Sequence, residues 1–151
     1  MTAHLQIFPR PTFAPMVTLL EAARLPTEDL TESHCENFYF SGSAQAPTGL
    51  VGLELFGDVA LLRSLVVAAE RRGTGEGRSL LQHAEREARA RGVRTLYLLT
   101  TTAEDFFARQ GYVRVPRELA PAAIRDTREF SGICPASSAF MARALESSGV
   151  A

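Results

Sequence analysis

Residues 62–81, LRSLVVAAERRGTGEGRSLL, constrain the fold of this chain more than any other stretch. A strand-like run rich in Leu and Val gives way to a turn of Gly and Arg, and an amphipathic helix follows. A helix N-terminus leaves several backbone N–H groups unpaired, and the macrodipole adds about half a positive charge there. Gly73, Gly75 and Gly77 let the backbone come close to a bulky oxyanion without a Cβ in the way. Arg71, Arg72 and Arg78 add long-range attraction. A buried strand, a turn and a helix joined in this way form an anion site, and they demand an α/β architecture around them.

The flanking sequence supplies that architecture. The spacing predicts a strand over 4–9, a helix over 13–24, a helical turn from Thr27 and an aromatic strand over 37–41. Residues 41–49 (SGSAQAPTG) read as a loop joining two antiparallel strands. Residues 50–56 alternate, Gly57-Asp58 makes a tight turn, and 59–67 return as a Leu- and Val-rich strand. The strongest helix covers 77–91: Leu80, Leu81, Ala84 and Ala88 form one apolar stripe, and Gly92 sits at the C-terminal capping position. A strand over 95–99, a short helix over 103–110, a strand over 112–115, a weak helix over 121–130 and a strand over 139–145 complete the chain. Residues 1–151 read as one domain, and no repeat divides them.

Charge narrows the chemistry. The formal net charge is −1, all sixteen basic residues are Arg, and there is no Lys. A Walker-type phosphate loop and Schiff-base chemistry both need Lys and are excluded. Near-neutral charge argues against a nucleic-acid footprint, and the absence of a long apolar run argues against a membrane span. The N-terminus lacks a secretory pattern, so a cytoplasmic location is expected. Cys35 and Cys134 have no metal-ligand spacing, and no metal site is expected. The dinucleotide fingerprint also fails: counted from Gly73 its last position is Arg78, and counted from Gly75 it is Leu80.

What fits is R-x-x-G-x-G, as Arg72, Gly75 and Gly77. This resembles the pyrophosphate loop of the GNAT superfamily of acetyl-CoA-dependent N-acetyltransferases, and Gly111-Tyr112 stands at that family's G-[FY] position. The resemblance covers residues 50–115. It implies a mixed, mostly antiparallel sheet of six to seven strands flanked by helices. It implies acetyl-CoA as co-substrate, with Leu65, Val66 and Val67 offering backbone groups to the pantetheine arm. Arg72, Gly73, Thr74, Gly75, Glu76, Gly77 and Arg78 would wrap the pyrophosphate, and Phe107 would line the cofactor side. Thr101, just past the next strand, would reach the cofactor or substrate, unless the threonines at 100–102 only cap the following helix.

Two positions depart from the family pattern. Many members carry a Tyr four residues before the G-[FY] glycine as general acid; here it is Phe107. Many carry a Glu on the central strand as base; here it is Leu61. Period-two alternation puts Leu61, Arg63 and Leu65 on one face, which makes Arg63 an isolated cation in an apolar strand. Arg63 either pairs with Glu54 or Asp58 across the hairpin or forks onto an acid group of the substrate. Glu54 is the candidate base, unless it lies solvated on the other face. Cys134 could line the acceptor side or act as a small buried hydrophobe. His4 has no assigned role.

The phrases LLRSLVV, LYLLTTTAEDFF, GYVRVPR, PAAIRDTREF and CPASS resemble a narrower group, the small bacterial GNAT proteins of arsenic-resistance operons. That resemblance implies a small-molecule amine acceptor, amino-acid-like and anionic. Arg63 would hold its acid end, with Arg125 and Arg128 approaching from the C-terminal segment unless they are surface charges. The sequence leaves a homodimer open. A non-catalytic acetyl-CoA sensor and a protein or peptide acetyltransferase remain as other readings.

Overall fold

The computed structural model describes residues 5–145; His4 and the start of the strand expected over 4–9 lie outside the described residues. Seven strands form one sheet: β1 (Ile7–Pro9), β2 (Phe38–Gly42), β3 (Pro47–Phe56), β4 (Val59–Val67), β5 (Thr95–Thr100), β6 (Val113–Arg114) and β7 (Ala139–Ala144). Their spatial order is β1-β2-β3-β4-β5-β7-β6. Every pairing is antiparallel except β4 with β5, which the long helix connects as a crossover. The helices are α1 (Phe13–Ala22), α2 (Glu76–Ala90), α3 (Glu104–Arg109) and α4 (Ala122–Arg125).

This is the mixed, mostly antiparallel sheet flanked by helices that the sequence predicted. The differences lie at element ends. β3 begins at Pro47 rather than Leu50, because Gly49 and Pro47 still pair with Ser41 and Gly42. Only residues 43–46 are left as loop. The weak helix expected over 121–130 breaks into α4 and a wide π-turn at Glu129–Ile133.

The apolar stripe of α2 works as its periodicity requires. Leu80, Leu81, Ala84 and Ala88 are buried against Leu53, Ala60, Leu62, Leu96 and Leu98 on one face of the sheet. The other face carries two separate clusters. Met16 and Leu20 of α1 cover Phe38, Phe40, Leu50 and Val66, while Ile124 of α4 and Ala120 cover Leu61 and Phe140.

One residue breaks the alternation of β4. Ser64 adopts φ +60°, and the register jumps: Gly52 pairs Arg63 while Leu50 pairs Val66, so Ser64 and Leu65 together oppose Val51. This is a β-bulge, and a bulge moves every later side chain to the opposite face. Before it, Ala60 and Leu62 face α2; after it, Leu65 and Val67 do. The expectation that Leu61, Arg63 and Leu65 share a face is therefore corrected. Leu61 and Arg63 share one face, and Leu65 lies on the other.

Gly52 sits at this irregularity for a steric reason. A Cβ there would lie 2.3 Å from the Phe38 ring, and Phe38 is fully buried. Gly52→Ala should lower stability by about 1–3 kcal/mol through overpacking, read as a lower denaturation midpoint at unchanged m-value. An unchanged midpoint would contradict the tight contact.

Candidate active site

The parallel ladder between β4 and β5 holds only at Val59–Thr95, Ala60–Leu96 and Leu61–Tyr97. Beyond Leu61 the strands diverge, and a cavity of about 850 Å³ opens between them. One side is lined by Leu62, Leu65, Val66 and Val67, the other by Leu98, Leu99, Thr101 and Phe107. Arg72 and Gly77 close the end at the α2 N-terminus. The opposite end is built by the chain after α1 (Arg24, Leu25, Pro26) and by the C-terminal segment (Glu129, Cys134, Ser138).

The glycine loop has the form an oxyanion needs. Gly73 and Gly75 hold φ +81° and +84°, and an added Cβ would meet nothing within 4 Å at either, so their exposed faces are open. Gly75 is the N-cap of α2 and carries no capping side chain. The first-turn N–H groups are therefore left to a ligand. Thr74, Gly75, Glu76 and Arg78 border a second depression with Arg71, whereas Arg72 and Gly77 line the main cavity. The Glu76 side chain is corrected as a ligand. It is turned inward, accepts a bond from Thr48 Oγ1 at 3.3 Å and lies 3.5 Å from Arg71, leaving Oε2 without a protein partner.

Arg63 is the centre of the end away from the glycine loop, with its side chain fully buried. Its Nη1 donates to Asp29 Oδ2 at 2.5 Å and to Glu54 Oε2 at 2.7 Å. Its Nη2 donates to Asp29 Oδ1 at 3.0 Å, and it also lies 3.2 Å from Glu129 Oε2. Its Nε donates to Ser64 Oγ at 3.1 Å. The fork is filled by Asp29, so Arg63 has no free bidentate face for a substrate acid, and that expectation is corrected. Of the two partners expected, Glu54 is present; Asp58 instead caps the β3–β4 turn through its carbonyl, which accepts from Arg94 N at 2.7 Å. Glu54 does not line the cavity; its carboxylate is turned onto Arg63. The reading of Glu54 as base is corrected with it.

Three carboxylates share one guanidinium, and they respond differently. Burial works to raise Asp29, yet its bonds to Arg63 win and hold it below the usual carboxylate range. Glu129 makes the longer contact. Burial, abetted by the charges of Asp29 and Glu54, pushes it up to about 7 against the pull of Arg63. Burial and the nearby Glu129 also push the Cys134 thiol up to about 12, so Cys134 lines the cavity as a neutral thiol.

Phe107 lines the cavity and stacks edge-on against Tyr112 at 5.6 Å. Tyr112 does not supply the missing phenol. Its hydroxyl donates to Glu85 at 2.8 Å, and burial holds it far above its ordinary range. Thr100 Oγ1 accepts from Ala103 N at 3.0 Å and takes the capping role, while Thr101 is exposed on the cavity wall. Arg125 and Arg128 are exposed and do not line the cavity. Sequence reasoning missed four groups: Asp29, Glu129, Arg24 and Ser138, whose buried Oγ has no protein partner. The available signal was Arg63 itself, since a buried guanidinium obliges acids to be found.

A strand–loop–helix anion cradle opening into a strand splay defines an α/β domain with a cavity that begins at a helix N-terminus. Residues 35–114 match the acetyltransferase (GNAT) domain. The chain belongs to this family. It is 44% identical over 55 residues to an amino-acid acetyltransferase of Ralstonia nicotianae, and 39% identical over 66 residues to one of Pseudomonas fluorescens. These matches cover 36% and 44% of this chain but 12% and 15% of those proteins. Among solved structures, N-acetylglutamate synthase from Neisseria gonorrhoeae, complexed with coenzyme A and N-acetyl-glutamate, superposes with a TM-score of 0.83 at 20% identity. It covers 97% of this chain and 36% of that one. A Staphylococcus aureus acetyltransferase of the GNAT family superposes at 0.73, with 16% identity, over 95% of this chain and 100% of its own.

The carboxylate cluster makes a stability prediction. Asp29→Asn should cost about 3 kcal/mol at pH 7, because it breaks a buried ion pair from one side. Since Asp29 is depressed in the fold, its contribution is present above the unfolded carboxylate pKa and is lost as pH falls through the folded value. Denaturant titrations at stepped pH should show the gap between wild type and variant closing towards pH 3. A gap independent of pH would contradict the pairing.

Proposed function

We propose that this chain transfers the acetyl group of acetyl-CoA to the primary amine of a small, amino-acid-like acceptor. The observation that carries the reading is the single cavity running from the α2 N-terminus, through the β4–β5 splay, to the polar end around Arg24, Glu129 and Ser138. Two substrates fit end to end in such a space, which supplies much of the rate by proximity.

The donor half follows from the backbone. Past Leu61, the β4 peptide groups that face β5 have no ladder partner, so an extended pantetheine arm can pair there as an added strand. A β4 N–H at the same open edge can stabilise the oxyanion formed at the thioester carbonyl. The loop around Gly73, Thr74 and Gly75, the Gly77 N–H and the Arg72 and Arg78 guanidiniums would take the pyrophosphate.

The acceptor half rests on two supports. The relatives are amino-acid acetyltransferases, and a structural neighbour holds N-acetyl-glutamate. On this chain, Arg24 borders the cavity with an exposed side chain that makes no ion pair among the described residues. It stands at the end of α1 with φ +59°, and it replaces Arg63 as the group that would hold a carboxylate. Ser138 Oγ offers a further hydrogen bond. An anionic acceptor is thus retained with a different holder. The arsenic-resistance setting rests on sequence phrases alone; an arsinic or phosphinic amino acid presents the same amine and acid pair.

The test follows free thiol while acetyl-CoA is offered with a panel of amino acids, phosphinic analogues and short peptides. Thiol release with an amino acid is expected. Acetyl-CoA binding without release for any acceptor would overturn the enzymatic reading in favour of a sensor, and release with peptides alone would move it to peptide acetylation. Arg24→Ala should raise acceptor KM about tenfold or more with little change in the KM for acetyl-CoA, since a charge-assisted bond contributes about 1.5–3 kcal/mol. Arg72→Ala should do the reverse.

A further inference from the structure

Both protonation groups usual in this family are replaced by apolar residues, Leu61 and Phe107. An amino-acid acceptor arrives as an ammonium ion near neutral pH, so a proton must leave before nitrogen can attack. Resting on the acetyltransferase reading above, we propose that Glu129 is the general base that takes this proton, and that Arg63 with Asp29 and Glu54 positions it.

The geometry selects Glu129 among the carboxylates of the cluster. Glu129 lines the cavity, as do Cys134 and Ser138 beside it. Asp29 and Glu54 do not line it. Asp29 is held by two bonds to Arg63, and Glu54 by one of 2.7 Å. Glu129 keeps only the 3.2 Å contact, which anchors its Oε2 and leaves its remaining acceptor capacity for a ligand. The backbone gives the same answer, since the π-turn Glu129–Ile133 opens a wide ring that carries this one buried acid to the cavity wall. Such single wide turns occur at functional positions.

The charges facing Glu129 set its strength. Arg63 of β4, Asp29 before the Glu32–Asn37 turn and Glu54 of β3 lie around it, with the Cys134 thiol on its own segment. One guanidinium against three carboxylates leaves the cluster short of positive charge, so the group least tightly bound resists ionisation. A base that titrates near 7 is matched to its task at neutral pH.

The step balances without a separate acid. The acceptor ammonium gives one proton to the Glu129 carboxylate, which becomes a carboxylic acid and later releases it to solvent. The neutral amine attacks the thioester carbonyl, and a C–N bond forms. As the tetrahedral intermediate collapses, the C–S bond breaks with its electron pair on sulfur. The proton still carried by nitrogen passes to that thiolate. The sum is ammonium plus acetyl-CoA giving amide, CoA thiol and one proton.

The experiment compares pH–rate profiles of wild type, Glu129→Gln and Glu54→Gln with the best amino-acid acceptor. Wild type should lose kcat/KM as pH falls through about 7, since the base is consumed by protonation. Glu129→Gln should lose about 10²-fold or more in kcat at pH 7.5, lose that limb, and keep its affinity for acetyl-CoA. With an acceptor whose amine is already neutral at pH 7.5, the Glu129→Gln loss should shrink to less than tenfold. Glu54→Gln should keep the limb and move it to lower pH, because one negative neighbour of Glu129 is gone. Equal losses on both acceptors in Glu129→Gln, or a limb unchanged in all three proteins, would overturn the assignment of the base. A wild type that binds acetyl-CoA but releases no thiol with any of the acceptors would overturn the acetyltransferase reading instead, so the two failures are distinct.

Discussion

A single extra residue in β4 organises both ends of the cavity in this domain. The bulge at Ser64 changes the side-chain parity of the strand partway along its length. Ahead of it, Arg63 is directed to the face that carries the α1 and α4 clusters, where it is buried among Asp29, Glu54 and Glu129. Behind it, Leu65 and Val67 are directed to the α2 face and Val66 to the α1 face. The strand also parts from β5 just before this point, at Leu61. Bulge and splay together convert a continuous sheet into a cavity with a polar wall at one end and a helix N-terminus at the other.

The polar wall is held by electrostatics of unusual density. At 4 Å, unit charges at an effective dielectric of about 20 interact by ~4 kcal/mol, so four ionisable groups within contact of one another cannot titrate independently. The guanidinium stays charged at any accessible pH, and all adjustment falls on the acids. Asp29 takes the best geometry and stays ionised, and the strain of the arrangement is passed to Glu129. An all-Arg chain makes this possible: a Lys at position 63 would offer a point charge and could itself lose its proton when buried.

Most of the fold was legible in the sequence because each element carries a local signature. The α2 stripe, the Gly57-Asp58 turn and the loop glycines are written within a few residues of one another, and the elements formed where those signals stand. Arg63 was legible as an anomaly, but its partners were not. Asp29, Glu54 and Glu129 come from three segments separated by 25 and 75 residues of chain, counted from their own numbers, and nothing local marks Glu129 as buried. Period two placed Leu65 wrongly because a bulge leaves no trace in composition: Ser64 looks like any strand serine until its φ is known. Thr100 and Thr101 are likewise identical by sequence and divided by one hydrogen bond to Ala103.

The cavity is assembled from unequal parts of the chain. Its glycine-loop end is drawn from the middle, from β4, the glycine loop, β5 and α3, all inside the stretch that matches the family. Its far end is drawn from Arg24 before that stretch and from Glu129, Cys134 and Ser138 after it. Likeness across the middle therefore reports on the glycine-loop end of the cavity. On the proposed reading, choice of acceptor would reside in two outer segments that can diverge without disturbing the loop, so two chains alike in the centre could serve different amines.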